Sequence, residues 1–200
     1  KKGRTMKEDR PYHHGNLQTE LIEEGLALIH EEGKSNFSLR KLAKRLGVSP
    51  AACYNHYSTV DELMREMKNY VTQKFCGALI AGTDKDDPAN AVLDMGIAYV
   101  NFFAVNPHYF TFIYDGDDYR IDLTEDTFDG DFEPFHLFKE LGLLCLEYNH
   151  VEKDKRRDSL IIMWAAAHGL AAMANMKGFY YDGDWGALAG KLLQEKINLT

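Results

Sequence analysis

Apolar positions recur along this chain at helical spacing from residue 17 onward, and no alternating strand pattern of useful length interrupts them. Leu21, Ile22, Leu26, Leu28 and Ile29 fall on one face of a predicted helix over 17–32, with Asn16 as its cap and Gly33 as its stop. The stretch Phe37 to Leu63, FSLRKLAKRLGVSPAACYNHYSTVDEL, then reads as two short helices around a tight turn. Ser38 caps a helix carrying Leu39, Leu42, Ala43 and Leu46 on one face, and Gly47 ends it. Val48 fills the turn and Ser49 caps a second helix, read over 49–57. Pro50 holds that helix's first position, where no amide donor is needed. Ser58 with Asp61, or Thr59 with Glu62, makes a capping box that opens a long helix to about residue 80.

Beyond it, GTDKDDP (82–88) breaks the pattern, and Asp87-Pro88 starts a helix running through Val105. Asn106-Pro107 interrupts, a short aromatic segment follows over 108–114, and the acidic stretch 115–131 is expected as a surface loop. Helices are predicted over 133–148 and 155–179, and a last one from Trp185. The expected fold is all-α. It has a basic, flexible arm (1–15), a three-helix helix-turn-helix domain (16–58), and a larger helical part (59–200) for regulation and dimerisation.

Composition changes this picture in one respect. The net charge of −8 is unevenly spread: residues 1–75 carry 13 Lys+Arg against 10 Asp+Glu, or +3, and residues 76–200 carry 10 against 21, or −11. The first part is drawn to phosphate and the second is repelled by it. Three widely spaced cysteines (Cys53, Cys76, Cys145) suit a reducing cytoplasm better than a disulfide framework. No apolar run is long enough for a membrane span. Zinc-spaced His/Cys clusters, a phosphate-binding Gly loop and a nucleophile elbow are all missing, so no cofactor, metal or catalytic group is expected. Asp115, Asp117 and Asp118 are oxygen donors, but without the distal Glu of a calcium loop they read as solvated charge.

A helix, a Gly-containing turn and a second helix place the second helix in a DNA major groove. Ala51 and Ala52 are small enough to let the backbone approach base edges and thymine methyls, and Ser49 can donate to phosphate. Tyr54 and His56 reach toward phosphates, while Arg40, Lys41, Lys44 and Arg45 supply cations from the preceding helix. Arg40 and Asn55 are the expected base readers. Against these stand plainer readings: Lys41 and Lys44 as a solvated helix face, Ser38 as a cap alone, and Tyr54 and Tyr57 as core residues, with core favoured for Tyr57 and contact for Tyr54; Cys53 is expected to pack inward.

At this point the chain resembles the tetracycline-repressor-like (TetR) family of one-component bacterial regulators. The resemblance rests on HHGNL (13–17), LALIHEEG (26–33), FSLRKLAKRLGVSPAACYNHY (37–57) and DEL (61–63). WAAAHGLAAM (164–173) resembles the Trp-His-Gly signature of one regulatory-domain subgroup, with Trp164, His168 and Gly169 in the matching places, and NPHYF (106–110) agrees with it. The resemblance implies an all-α homodimer that represses transcription and leaves double-stranded DNA when a small molecule enters the C-terminal domain. It carries family DNA contacts over to Ser38, Arg40, Ser49, Ala51, Ala52, Tyr54 and His56. One position departs from the family. Where a Lys usually precedes the acidic start of the linker helix stands Val60, with Thr59 beside it as a substitute phosphate donor, so a shallower salt dependence is expected.

In the C-terminal part, Met95 to Tyr114 is rich in aromatic residues that suit either a packed core or a pocket for a flat ligand. Pocket residues are expected to be Tyr99, Phe103, Phe110, Trp164, His168 and Met173. The small residues of 165–174 let another helix approach closely. Paired with helix 133–148, they predict a four-helix interface across a two-fold axis. Two further readings compete with the ligand-released repressor. One is a DNA-binding regulator governed by a protein partner or by modification of Cys53; the other is a ligand-binding or scaffold protein that does not read DNA.

Overall fold

The computed structural model describes residues 17–84, 86–115, 119–124 and 129–197. The expected arm at 1–15, the Asn16 cap, Asp117 and Asp118 lie outside the described residues. The chain forms two compact units, Lys1–Leu63 and Met64–Thr200.

In the first unit, α1 (Leu17–Glu32) packs on α2 (Leu39–Leu46), and α2 packs on α3 (Pro50–Tyr54). The predicted inward face of α1 is buried at Leu21, Ile22, Leu26, Leu28 and Ile29, and meets the buried Leu39, Leu42 and Ala43 of the next helix pair. Ser38 accepts the Lys41 amide and Ser49 accepts the Ala52 amide, which satisfies donors that a helix start leaves open. Gly47 ends α2 at φ 72°, the left-handed region where a side chain is disfavoured. The recognition helix is shorter than expected. It stops at Tyr54, because Asn55 bonds back to Ala51 while His56 and Tyr57 both bond to the Cys53 carbonyl, turning the chain out of the helix. Tyr57 and Cys53 are buried, so both are core residues.

The next helix, α4 (Val60–Gly82), begins where the capping box is observed. The Glu62 amide donates to Thr59 Oγ1 and the Glu62 carboxylate accepts from the Ser58 amide. Thr59–Glu62 is therefore the pair used.

The second unit is built around α5 (Ala91–Val105), which packs against α6 (Pro107–Tyr114), α7 (Glu133–Tyr148), α8 (Lys153–Asn175) and α9 (Trp185–Ile197). Four local differences from expectation have physical causes. First, α5 starts at Ala91 rather than Asp87, because the Asn90 amide side chain and backbone both bond to Asp87 and close a turn over Asp87–Asn90 instead. Second, the aromatic segment 107–114 is itself a helix with Pro107 at its start. Third, α8 ends at Asn175, whose side-chain amide donates to Ala171 and to Phe103, a carbonyl in the last turn of α5 without a helical partner.

The fourth difference lies in the acidic stretch. Ile121–Asp122 pairs antiparallel with Asp129–Gly130, tied by the Arg120 amide to Asp131 Oδ1 at 2.6 Å. A Cβ at position 130 would stand 2.6 Å from the Arg120 carbonyl oxygen, so only glycine allows the strands this close. Helices dominate the described residues, and the fold is all-α.

Candidate functional site

Every residue expected at the DNA face is solvent-accessible. Arg40, Lys44, Ser49, Ala51, Tyr54, Asn55, His56 and Thr59 are exposed, and Ser38 and Ala52 are half-buried. The cations of α2 divide into two sets. Arg45 is held by α1, with Nε donating to Glu24 at 2.7 Å and its two terminal nitrogens to the two Glu31 oxygens. That fork draws the Glu31 carboxyl below its usual range, chiefly through the hydrogen bond from Arg45. Lys41 pairs with Glu32 at 2.7 Å. Arg40 and Lys44 have no ion pair among the described residues, so their charges remain available to phosphates or base edges. Arg45, expected as a cationic DNA contact, instead fastens α2 to α1.

The hydroxyls of Ser38, Ser49 and Thr59 each accept a backbone amide and keep their own proton. Each can cap its helix and donate to a phosphate at once. At the start of α4, Val60 brings no cation, and the Glu62 carboxylate already occupies the amide end. A phosphate there meets less positive charge than at an uncapped terminus. Val60→Lys is expected to steepen the salt dependence of DNA affinity by roughly one unit of log–log slope per added phosphate contact. Binding isotherms across a salt series measure this, and an unchanged slope would place position 60 away from the backbone.

In the second unit, five of the six expected pocket residues form one aromatic cluster. Tyr99 lies 5.2 Å from Phe103 and 5.4 Å from Trp164, and Phe110 lies 5.3 Å from Phe103 and 5.6 Å from His168, centroid to centroid. The sixth, Met173, is five residues beyond His168 on α8, about 140° further round the helix, and does not line the cavity beside the cluster. Of the expected set only Tyr99 and Trp164 line that cavity, together with Met95, Gly96, Phe138 and Leu193. Its volume is about 10 Å³, room for one water. Phe75 of α4 is the centre that sequence reasoning missed. Fully buried, its ring is within 5.1 Å of the Tyr99, Phe102 and Phe103 rings. The one signal for it was its place four residues after Val71 and four before Leu79 on a buried helix face.

The cluster contains a hydrogen-bond relay, with the Tyr99 hydroxyl 2.6 Å from that of Tyr114 and 2.9 Å from His168 Nδ1. Burial pushes both tyrosine pKa values up and the His168 value down, so all three groups are neutral near pH 7. An unfolded chain takes up a proton at His168 near the ordinary 6.5, the folded unit only at lower pH. Between those values the unfolded state holds more protons. Stability from this group is complete above 6.5 and declines as pH falls below it. Comparing urea midpoints at about pH 5 and about pH 7.5, we expect a smaller acid loss for His168→Gln than for the parent chain. An equal loss in both would show that His168 protonates freely in the folded unit.

The three cysteines are free and buried. Burial raises the Cys53 thiol pKa and pushes that of Cys76 up to about 11, so neither offers thiolate at neutral pH. Among the described residues no cluster of three or more His, Cys, Asp or Glu is placed to hold a metal ion. No described helix is long and apolar enough to cross a membrane.

A capped helix-turn-helix with exposed cations defines a protein of the helix-turn-helix class. Residues 21–67 match the family described as bacterial regulatory proteins, tetR family. It is 25% identical over 96 residues to an uncharacterized HTH-type transcriptional regulator, YobS, of Bacillus subtilis (strain 168); the match spans 48% of this chain and 50%, or half the length, of that relative. The fold is similar to that of a tetR-family regulatory protein from Rhodococcus RHA1, with TM-score 0.66 at 13% identity over 91% of this chain and 95% of the other. It is also similar to a TetR variant of Acinetobacter baumannii AYE, solved in complex with minocycline, with TM-score 0.55 at 15% identity over 89% and 92%.

Proposed function

We propose that this chain is a homodimeric transcriptional repressor that binds a DNA operator through its first unit and leaves it when a small molecule binds the second. The observation that carries the reading is the division of cations on α2. Arg45 and Lys41 are consumed by α1, while Arg40 and Lys44 stand exposed on the helix that Ser38 caps. A folding-only role for α2 gives no reason to leave that pair without counter-charge. Arg40 and Asn55 would read base edges; Lys44, Tyr54, His56 and Thr59 would hold phosphates. Fluorescence anisotropy with the DNA upstream of its own gene tests this. Absence of binding to that DNA even at low salt would defeat the reading.

The dimer reading draws on the outer faces of α7 and α8. Leu137, Leu141, Leu144 and Tyr148 repeat at intervals of four, three and four along α7. Leu144 and Tyr148 are each 60% exposed. The three leucines also line an apolar groove of about 370 Å³ with Ile80, Pro88 and Ala91. On α8, Ile162 is 50% exposed and is followed by Ala165, Ala166 and Gly169. A second copy laid on these faces would close a four-helix bundle and remove that apolar surface from water. It would also present two recognition helices to half-sites about one helical turn apart. Leu144→Glu is expected to convert dimer to monomer in sedimentation velocity and to weaken operator binding with it. A variant that stays dimeric would move the interface elsewhere.

The effector reading rests on the Tyr99–Phe103–Phe110–Trp164–His168 cluster, which follows the Trp-His-Gly pattern at Trp164, His168 and Gly169. The minocycline complex of the Acinetobacter protein supports it by analogy of fold. Binding must favour one of two states unequally to release DNA, with α4 as the connecting element. Control by Cys53 is the weaker reading, because its thiol is buried and protonated.

A further inference from the structure

The relay in the second unit has an end that nothing described occupies. His168 is half-buried between Phe110 and Tyr114, whose centroids lie 5.6 and 4.6 Å from its own. Its Nδ1 faces the Tyr99 hydroxyl, and its Nε2 has no hydrogen-bond partner among the described residues. Each hydroxyl has one proton, so the chain of bonds can run in only two directions. If Nδ1 carried the imidazole proton, it would donate to Tyr99 and Tyr99 would donate to Tyr114. That leaves the Tyr114 O–H as a donor without an acceptor, and Nε2 bare. If Nδ1 is bare, Tyr114 donates to Tyr99 and Tyr99 donates to Nδ1. Both hydroxyl protons are then used; the donor left over is Nε2–H, and the Tyr114 oxygen accepts from nothing. Each direction leaves one donor and one acceptor unmatched, but Tyr114 is more deeply buried than His168. A stranded donor costs more the deeper it lies, so the direction that leaves Nε2–H is favoured.

We propose that the relay holds His168 as the Nε2–H tautomer, a fixed donor for a flat aromatic ligand bearing a carbonyl or carboxylate oxygen. This rests on the reading of the second unit as the effector domain and names the chemistry of its ligand. The oxygen accepts from Nε2–H, and the ligand ring lies at the half-exposed rim formed by Phe110 and Tyr114. The cavity lined by Tyr99 and Trp164 admits only one water, so a ligand ring is held at the rim and not in that cavity. In this direction Nε2–H is the one donor of the relay left without an acceptor among the described residues. Tyr99 is a positioning residue: it sets the tautomer and does not touch the ligand.

Two measurements on the full chain test this. The first needs no ligand. In a two-bond ¹⁵N–¹H spectrum of the imidazoles, the signal lost in His168→Gln identifies His168. We expect a pyridine-type Nδ1 and a pyrrole-type Nε2; the opposite assignment overturns the proposal. The second follows Trp164 fluorescence in a Trp185→Phe background with benzamide, benzoate, toluene and benzylamine as probes. Benzamide and benzoate are expected to bind at least about tenfold more tightly than toluene or benzylamine. His168→Phe, which keeps a ring but has no donor, should abolish that preference, and His168→Gln, which keeps an N–H at similar reach, should largely restore it. Equal binding of all four probes, no binding of any at millimolar concentration, or a preference that survives His168→Phe overturns the proposal. Operator binding measured on the same samples separates the two claims: loss of DNA binding defeats the repressor reading, and a failed probe series with intact DNA binding defeats only this site.

Discussion

Phe75→Ala is expected to destabilise the C-terminal unit by about 3–5 kcal/mol, the range for removing a fully buried aromatic ring. Phe75 is 0% exposed and touches three other rings from α5, stacking on Phe102 at 5.1 Å and lying 4.6 Å from Phe103 and 5.0 Å from Tyr99. No neighbour can collapse into the space without abandoning contacts of its own, because each of those rings has further aromatic partners. A domain stable by roughly 5–15 kcal/mol loses a large share of its margin, and the melting temperature should fall by roughly 10–20 °C. Calorimetry resolves this directly. Phe75→Leu, which keeps most of the volume, should lose less than half as much. A loss below about 1 kcal/mol for the alanine variant would mean that Phe75 is not what joins α4 to the aromatic core.

Arg40→Ala should have the largest effect on DNA affinity. A bidentate arginine–guanine pair discriminates by about 1–3 kcal/mol. In the proposed dimer two subunits double it, so operator affinity should fall by roughly thirtyfold to twenty-thousandfold. With Arg40 on a base edge, as proposed, affinity for random DNA should change far less. Competition anisotropy with specific and random duplexes separates the two. Arg45→Ala provides the contrast within the same helix: its guanidinium is already bound to Glu24 and Glu31. That variant should lower folding stability and leave the specificity ratio in place. Equal losses on both duplexes for Arg40→Ala would reassign Arg40 to phosphate.

What the sequence makes legible depends on the range of the forces involved. The first unit follows from rules that act within four residues. The hydroxyl caps at Ser38 and Ser49, the left-handed Gly47 and the Thr59–Glu62 box all stand where local chemistry places them. Where a nearby side chain offers the backbone a second option, local rules fail. Asp87 draws Asn90 into a turn and shortens α5, and Asn175 stops α8 early by reaching a carbonyl on another helix. The fate of Arg45 depends on residues 14 and 21 positions away, and the Tyr99–His168 bond joins residues 69 apart. No periodicity encodes such meetings. The aromatic cluster was visible as composition, but Phe75 belongs to it only because the helices come together as they do.

The brevity of α3 has an evolutionary consequence. Five residues are too few to hold a helix by propensity alone; its shape is imposed by the buried Cys53 and Tyr57, together with the Ser49 cap. The side chains proposed to meet the operator, Ala51, Tyr54 and Asn55, are exposed and contribute little to that anchoring. Substitutions at such surface positions typically alter stability by less than about 0.5 kcal/mol. A lineage carrying this scaffold could therefore drift from one operator to another almost freely, while any change at Cys53 or Tyr57 would be purged for its effect on folding, whatever sequence the protein reads.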